Sequence, residues 1–83
     1  MITLQDTEPK DPGVRHHSVT SSRIASVGYE ESTRTLEVRF HNRSVYQYHG
    51  VPSRIFNVFL TVVSKGRFYD GVVKGKYPER RVA

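Results

Sequence analysis

The sequence predicts a small α+β domain, a three-stranded antiparallel β-meander followed by one or two C-terminal helices packed on one face. Three observations predict it. Residues 35–40, Thr-Leu-Glu-Val-Arg-Phe, alternate strictly between polar and apolar, the period of a strand with one dry face and one wet face. Two further strand-like runs flank it at turn-length spacing. After Pro52 the apolar period changes from that of a strand to that of a helix.

The elements follow in order. Residues 1–21 are polar, carry Pro9, Asp11, Pro12 and Gly13, and show no apolar period; they read as a disordered N-terminal arm, with the domain over 22–83. Residues 24–29, Ile-Ala-Ser-Val-Gly-Tyr, read as the first strand, and the polar run 30–34 as a hairpin loop. In the second strand Leu36, Val38 and Phe40 share a face opposite Thr35, Glu37 and Arg39. The turn 41–44 contains Asn42, which tolerates positive φ. The third strand, Val45-Tyr46-Gln47-Tyr48-His49, ends at Gly50.

Pro52 suits a first helical position. Ile55, Phe56, Phe59, Leu60 and Val63 then form an apolar stripe, predicting a helix over about 53–62 that lies on the sheet. The β-branched run Thr61-Val62-Val63 weakens its end. Ser64 can cap a second helix over 65–73, with Phe68, Tyr69, Val72 and Val73 inward, weakened by Gly66 and Gly71 and stopped at Gly75. The alternative is an irregular second helix, with the tail from Tyr77-Pro78 adding a fourth strand.

An 83-residue chain of 9.5 kDa is one domain. It has no cysteine, so no disulfide or thiolate–metal site reinforces it. The opening residues lack the basic and apolar regions of a signal peptide. No apolar run is long enough to span a bilayer, so the expectation is a cytoplasmic monomer without membrane contact. The charge is uneven. From residue 23 onward eleven cationic residues face five acidic ones, a balance of +6. Lys65, Arg67, Lys74, Lys76, Arg80 and Arg81 concentrate near the C-terminus against only Asp70 and Glu79. Such a block suits phosphate contacts, or equally a solvated surface.

Tyr46 and Tyr48 lie two apart on one strand and share a face, with Tyr69 and Tyr77 near the cations. The tyrosine pair reads either as a stacking platform for unpaired bases or as core. If Phe40 pairs with Val45 the rings face water; if it pairs with Tyr46 they join Leu36 and Val38. The polar alternation of Gln47 and His49 favours the core. No catalytic residues are expected. No carboxylate pair suits acid–base work, and no Ser, His and Asp share the spacing of a nucleophile motif. Gly71–Lys76 fails the phosphate-loop pattern, and the four histidines lack carboxylates at metal-ligand spacing. Neither a metal nor a small-molecule cofactor is expected.

The order of motifs resembles the KTSC domain, a short bacterial domain found at the C-terminus of some lysyl-tRNA synthetases and also as a stand-alone protein. The resemblance runs from about residue 22 to 82. It rests on Ser-Val-Gly-Tyr (26–29), Leu-Glu-Val-Arg-Phe (36–40), Tyr-Gln-Tyr (46–48), Gly-Val-Pro (50–52), Ser-Lys-Gly-Arg-Phe-Tyr (64–69) and Lys-Gly-Lys-Tyr-Pro (74–78). Asp70 stands where the family leads one to expect Asn. The resemblance implies a non-enzymatic module of uncharacterised role, with RNA, and tRNA in particular, as the partner. The expected nucleic-acid-binding set is Lys65, Arg67, Lys74, Lys76, Arg80 and Arg81 with Tyr46, Tyr48, Tyr69 and Tyr77. The alternative is a protein–protein interaction module without a nucleic-acid ligand.

Overall fold

The computed structural model describes residues 14–83. These form an antiparallel sheet of five strands in sequential order, with two short helices on one face. The strands are β1 (His16–Ser18), β2 (Ile24–Glu30), β3 (Thr35–Phe40), β4 (Val45–His49) and β5 (Glu79–Arg81). The α+β class holds, but the sheet is wider than the three-stranded meander. The tail adds a strand beside β4, as the alternative reading had it. Residues 16–18, assigned to the arm, pair with β2. A three-residue polar edge strand carries no period of its own, so its pairing shows only in tertiary context. The rest of the arm, through residue 13, lies outside the described residues. Among the described residues no helix is long and apolar enough to cross a membrane.

The β3–β4 turn fixes the tyrosine face. Arg39 lies opposite Val45, Val38 opposite Tyr46 and Leu36 opposite Tyr48. Neither predicted pairing of Phe40 is the real one: its N–H donates to the Ser44 carbonyl at 2.9 Å, closing a three-residue loop. Arg43, not Asn42, takes the positive φ of 75°. Asn42 instead accepts from the Ser44 N–H and hydroxyl through Oδ1 at 3.0 and 2.6 Å, which shapes the turn. Both tyrosines therefore share the inner face with Val38 and Leu36. In β2 a bulge between Ile24 and Ser26 brings Ile24 and Val27 onto that same face, both fully buried.

Helix α1 (Ser53–Thr61) begins after Pro52, which occupies the cap position. Its stripe buries Phe59 and half-buries Ile55, Phe56 and Leu60. Val63 does not belong to it: the chain turns extended at Val62, and Val63 is 98% exposed. The β-branched run ends the helix, and the Lys65 ammonium closes that end by donating to the carbonyls of Leu60, at 3.2 Å, and Val62. Helix α2 (Lys65–Phe68) is capped by the Ser64 hydroxyl, which accepts from the Arg67 N–H at 3.3 Å. It continues as a single wide π-turn over Tyr69–Val73, closed by Lys74 N–H to Tyr69 carbonyl at 2.8 Å. The π-turn brings Tyr69 and Val73 into the core together. Gly75 ends the element at φ 76°.

The sheet's other face carries no helix among the described residues. A polar row crosses it, since His16, Gly28, Glu37, Gln47 and Arg80 stand opposite one another strand by strand. Gly28 has no side chain, so His16 reaches over it to Glu37: Nε2 lies 2.5 Å from Glu37 Oε2. His16 Nδ1 lies 2.7 Å from the Ser26 hydroxyl, and Gln47 Nε2 donates to Glu37 Oε1 at 2.9 Å. Serine, histidine and carboxylate in line have the outline of a nucleophile relay. Here Ser26 is buried beneath β1, and the row acts as a latch holding the edge strand.

A methyl group on Gly28 would sit 2.5 Å from the Arg15 carbonyl and 2.7 Å from Val14 Cγ1. Gly28→Ala must therefore lift β1 and is expected to cost about 1–3 kcal/mol in urea unfolding. Gly71→Ala meets nothing within 4 Å. It is expected to stabilise the protein by about 0.5–1 kcal/mol.

Candidate functional site

The principal cleft among the described residues has a volume of about 570 Å³ and opens on the helix side of the sheet. The β3–β4 turn, the start of β2, the π-turn and β5 converge on it. Its apolar wall comes from Phe40, Tyr46 and Tyr69. Phe40 packs edge-on against Tyr46, with centroids 6.0 Å apart, and against Tyr69 at 5.2 Å. Arg23, His41 and Lys74 supply basic groups, and Glu79 supplies a carboxylate.

Each polar group is placed by its backbone. Arg23 precedes β2 and reaches over the π-turn, where it grips Asp70 with two hydrogen bonds, Nη1–Oδ2 at 2.8 Å and Nη2–Oδ1 at 3.1 Å. Its guanidinium lies 5.8 Å from the Tyr69 ring centre. The hydrogen bonds from Arg23 hold the Asp70 carboxyl below its ordinary range. Asp70 is thus matched locally and does not oppose an anion in the cleft. His41 is tied to the Ser21 carbonyl through Nε2 at 2.8 Å. Among the described residues, Lys74 and Glu79 have no ion-pair partner; the Glu79 carboxylate stands within reach of the Tyr48 hydroxyl and raises that phenol.

Beneath the cleft the Tyr48 and Tyr69 hydroxyls meet at 2.5 Å. Burial raises both phenols, Tyr48 well above its ordinary range; the hydrogen bond between them raises Tyr48 and lowers Tyr69, and the Glu79 charge adds to both. The pair is a neutral, buried link between β4 and the π-turn.

A protein-family model described as the KTSC domain matches residues 20–77. The chain belongs to the KTSC domain family. Over 59 residues it is 37% identical to a protein of Tsukamurella paurometabola, covering 71% of this chain and 88% of that relative. Over 56 residues it is 36% identical to a lysine–tRNA ligase of Nostoc punctiforme, covering 68% of this chain but 10% of the ligase. Among solved structures it is similar to a KTSC domain protein from Yersinia pestis, with a TM-score of 0.82 and 46% identity over 86% of this chain and 100% of that one.

In this KTSC domain the predicted binding residues do not form one patch. Tyr46, Tyr69 and Lys74 meet in the cleft, and Arg81 joins them with its guanidinium 5.9 Å from the Tyr46 ring centre. Arg80 points to the opposite face, beside Gln47. Lys65 is engaged by helix carbonyls. Arg67 and Lys76 are exposed outside the cleft, and Tyr77 is half-buried against the core. Tyr48 is wholly buried and Tyr69 is 5% exposed, so neither ring offers a face for stacking a base. Tyr46, half-buried, and Phe40 remain as accessible aromatic surface. Sequence reasoning missed Arg23, His41, Asn42 and Glu79 as cleft residues. They come from separate segments joined only by sheet pairing, and no local signal marks them. Among the described residues no group of three His, Asp or Glu is placed to hold a metal ion.

The buried phenol pair sets a pH response. Because folding raises both pKa values, its contribution to stability is complete below the ordinary phenol range and is lost as pH rises through the folded-state values. On base titration, phenolate absorbance of the folded protein is expected to stop short of that of the denatured chain by at least one of its five tyrosines, Tyr48. The remainder should emerge with alkaline unfolding. Smooth ionisation of all five without loss of structure would contradict the pairing.

Proposed function

We propose that this KTSC domain is a non-catalytic RNA-binding module whose cleft receives one unpaired nucleotide while nearby cations hold the flanking phosphates. The observation that carries the reading is the cleft's composition. An accessible aromatic wall of Phe40 and Tyr46 stands beside Lys74, a cation without an ion-pair partner among the described residues. Single-stranded RNA is held by this combination: rings stack bases and cations neutralise phosphates. A volume of about 570 Å³ suits one nucleotide. The balance of +6 over residues 23–83 adds a favourable field. The presence of related segments in ligases that join lysine to tRNA makes tRNA the first RNA to test.

The protein-interaction reading has less behind it. Among the described residues the sheet's edge strands, β1 and β5, are three residues each, and β5 carries Arg80 and Arg81. Short, charged edges resist strand addition.

Titration with tRNA and with short single-stranded RNA tests the proposal. Binding is expected at low salt and should weaken steeply as salt rises. Lys74→Ala should weaken all sequences alike and reduce the salt slope by about 0.7 on a single strand. Tyr46→Ala should cost about 1–3 kcal/mol of binding with the fold retained, as read by circular dichroism. Arg80→Ala, on the opposite face, should have a smaller effect than Lys74→Ala. An absence of binding at low salt overturns the reading, and a protein partner retained through nuclease and high salt would replace it.

A further inference from the structure

One cleft residue works against simple phosphate binding. Glu79 is acidic, lies within a strand otherwise made of Arg80 and Arg81, and lines the same cleft as Lys74. The register explains its aim: it stands opposite Tyr48, whose side chain faces inward, so Glu79 and Arg81 share the helix side while Arg80 faces away. A carboxylate here repels phosphate. It has no protein cation to neutralise it among the described residues, and it adds to the penalty on ionising the phenols below. Its chemistry as a ligand is one-sided, because a carboxylate has two acceptor oxygens and no donor.

We propose that Glu79 makes the cleft selective for guanine. The inference rests on the RNA reading above and names which base that site takes. Of the four RNA bases, only guanine presents two adjacent donors on its Watson–Crick edge, N1–H and the N2 amino group. Both can donate to the two carboxylate oxygens at once. Adenine sets an acceptor beside its amino group, and cytosine does the same. Uracil flanks its single donor with two acceptors. Each of these places at least one oxygen or nitrogen lone pair against the carboxylate. With guanine's edge on Glu79, its ring lies along the wall of Tyr46 and Phe40, and its phosphate turns toward Lys74 at the rim.

The test uses uridine-rich RNA of about eight nucleotides carrying one central guanosine, inosine, adenosine or uridine. The whole protein and its Glu79→Gln variant are each titrated by fluorescence anisotropy. The wild type should bind the guanosine strand about 5-fold to 100-fold more tightly than the adenosine or uridine strands. Inosine, which keeps N1–H but lacks the amino group, should fall between them. Glu79→Gln should lose the guanosine preference and bind the other strands more tightly, because a negative charge has been removed. Glu79 is exposed on an edge strand, so the variant is expected to melt with the wild type. A role limited to sheet structure would shift all four affinities together. Equal binding of all four strands by the wild type, or an unchanged preference in Glu79→Gln, overturns the guanine assignment alone. Failure of every strand to bind at low salt overturns the RNA reading with it.

Discussion

The contact between Tyr48 and Tyr69 holds the architecture together. It joins the sheet to the second helical element by a directional bond rather than by apolar packing alone. Tyr48 is wholly buried on the inner face of β4, and its hydroxyl meets the Tyr69 hydroxyl at 2.5 Å. Tyr69 can reach it because the chain widens into a π-turn there, closing from Lys74 to Tyr69. The same turn sets Lys74 at the rim of the cleft and releases the chain toward β5. Truncating a buried aromatic costs about 3–5 kcal/mol, a large part of the roughly 5–15 kcal/mol by which a domain is stable. Fold and cleft therefore depend on one pair of phenols.

The two faces of the sheet solve different problems. The inner face is a core of branched aliphatic residues and rings, closed by helices that have little intrinsic stability. Helix α1 spans nine residues and α2 four, lengths that are marginal in isolation. Their order comes from Phe59 packing on Phe68 and from the Lys65 ammonium on the carbonyls that end α1. The outer face is held by a hydrogen-bonded row. It works because Gly28 leaves a gap over which histidine and glutamate can meet. The polar partners are mostly shielded, at 14% exposure for each of the His16 and Glu37 side chains, so their bonds compete weakly with water.

How much of this could be read from the chain differs by element. Strand β3 was fully legible, because alternation over six residues with one wet and one dry face admits little else. Helix α1 was legible to within a residue at its end, where Val63 carried the helical period past the point at which β-branched residues stop supporting it. The inward face of Tyr46 and Tyr48 followed from alternation, but the register did not. It depends on a loop in which Arg43, a residue with no bias toward positive φ, takes the left-handed position while Asn42 braces it. Strand β1 was illegible because three polar residues on an edge look like any polar tail. The basic cluster was legible as composition and misleading as geometry. Strand alternation sends Arg80 and Arg81 to opposite faces, and Lys65 is spent on carbonyls. The cleft itself joins residues from Arg23 to Glu79, a proximity that only the pairing of β2 through β5 creates.

The last strand has a consequence for how the domain can be handled. Ala83 accepts from the Val45 N–H at 3.1 Å, and Val82 donates back to the Val45 carbonyl at 2.8 Å. Val45 adjoins Ser44, one of the cleft-lining residues. Any polypeptide joined after Ala83 would leave the sheet at the mouth of the cleft. A fused tag or reporter placed there becomes a neighbour, and at high local concentration a competitor, of whatever the cleft admits. The choice of fusion terminus would then alter measured affinities without changing a single residue of the site.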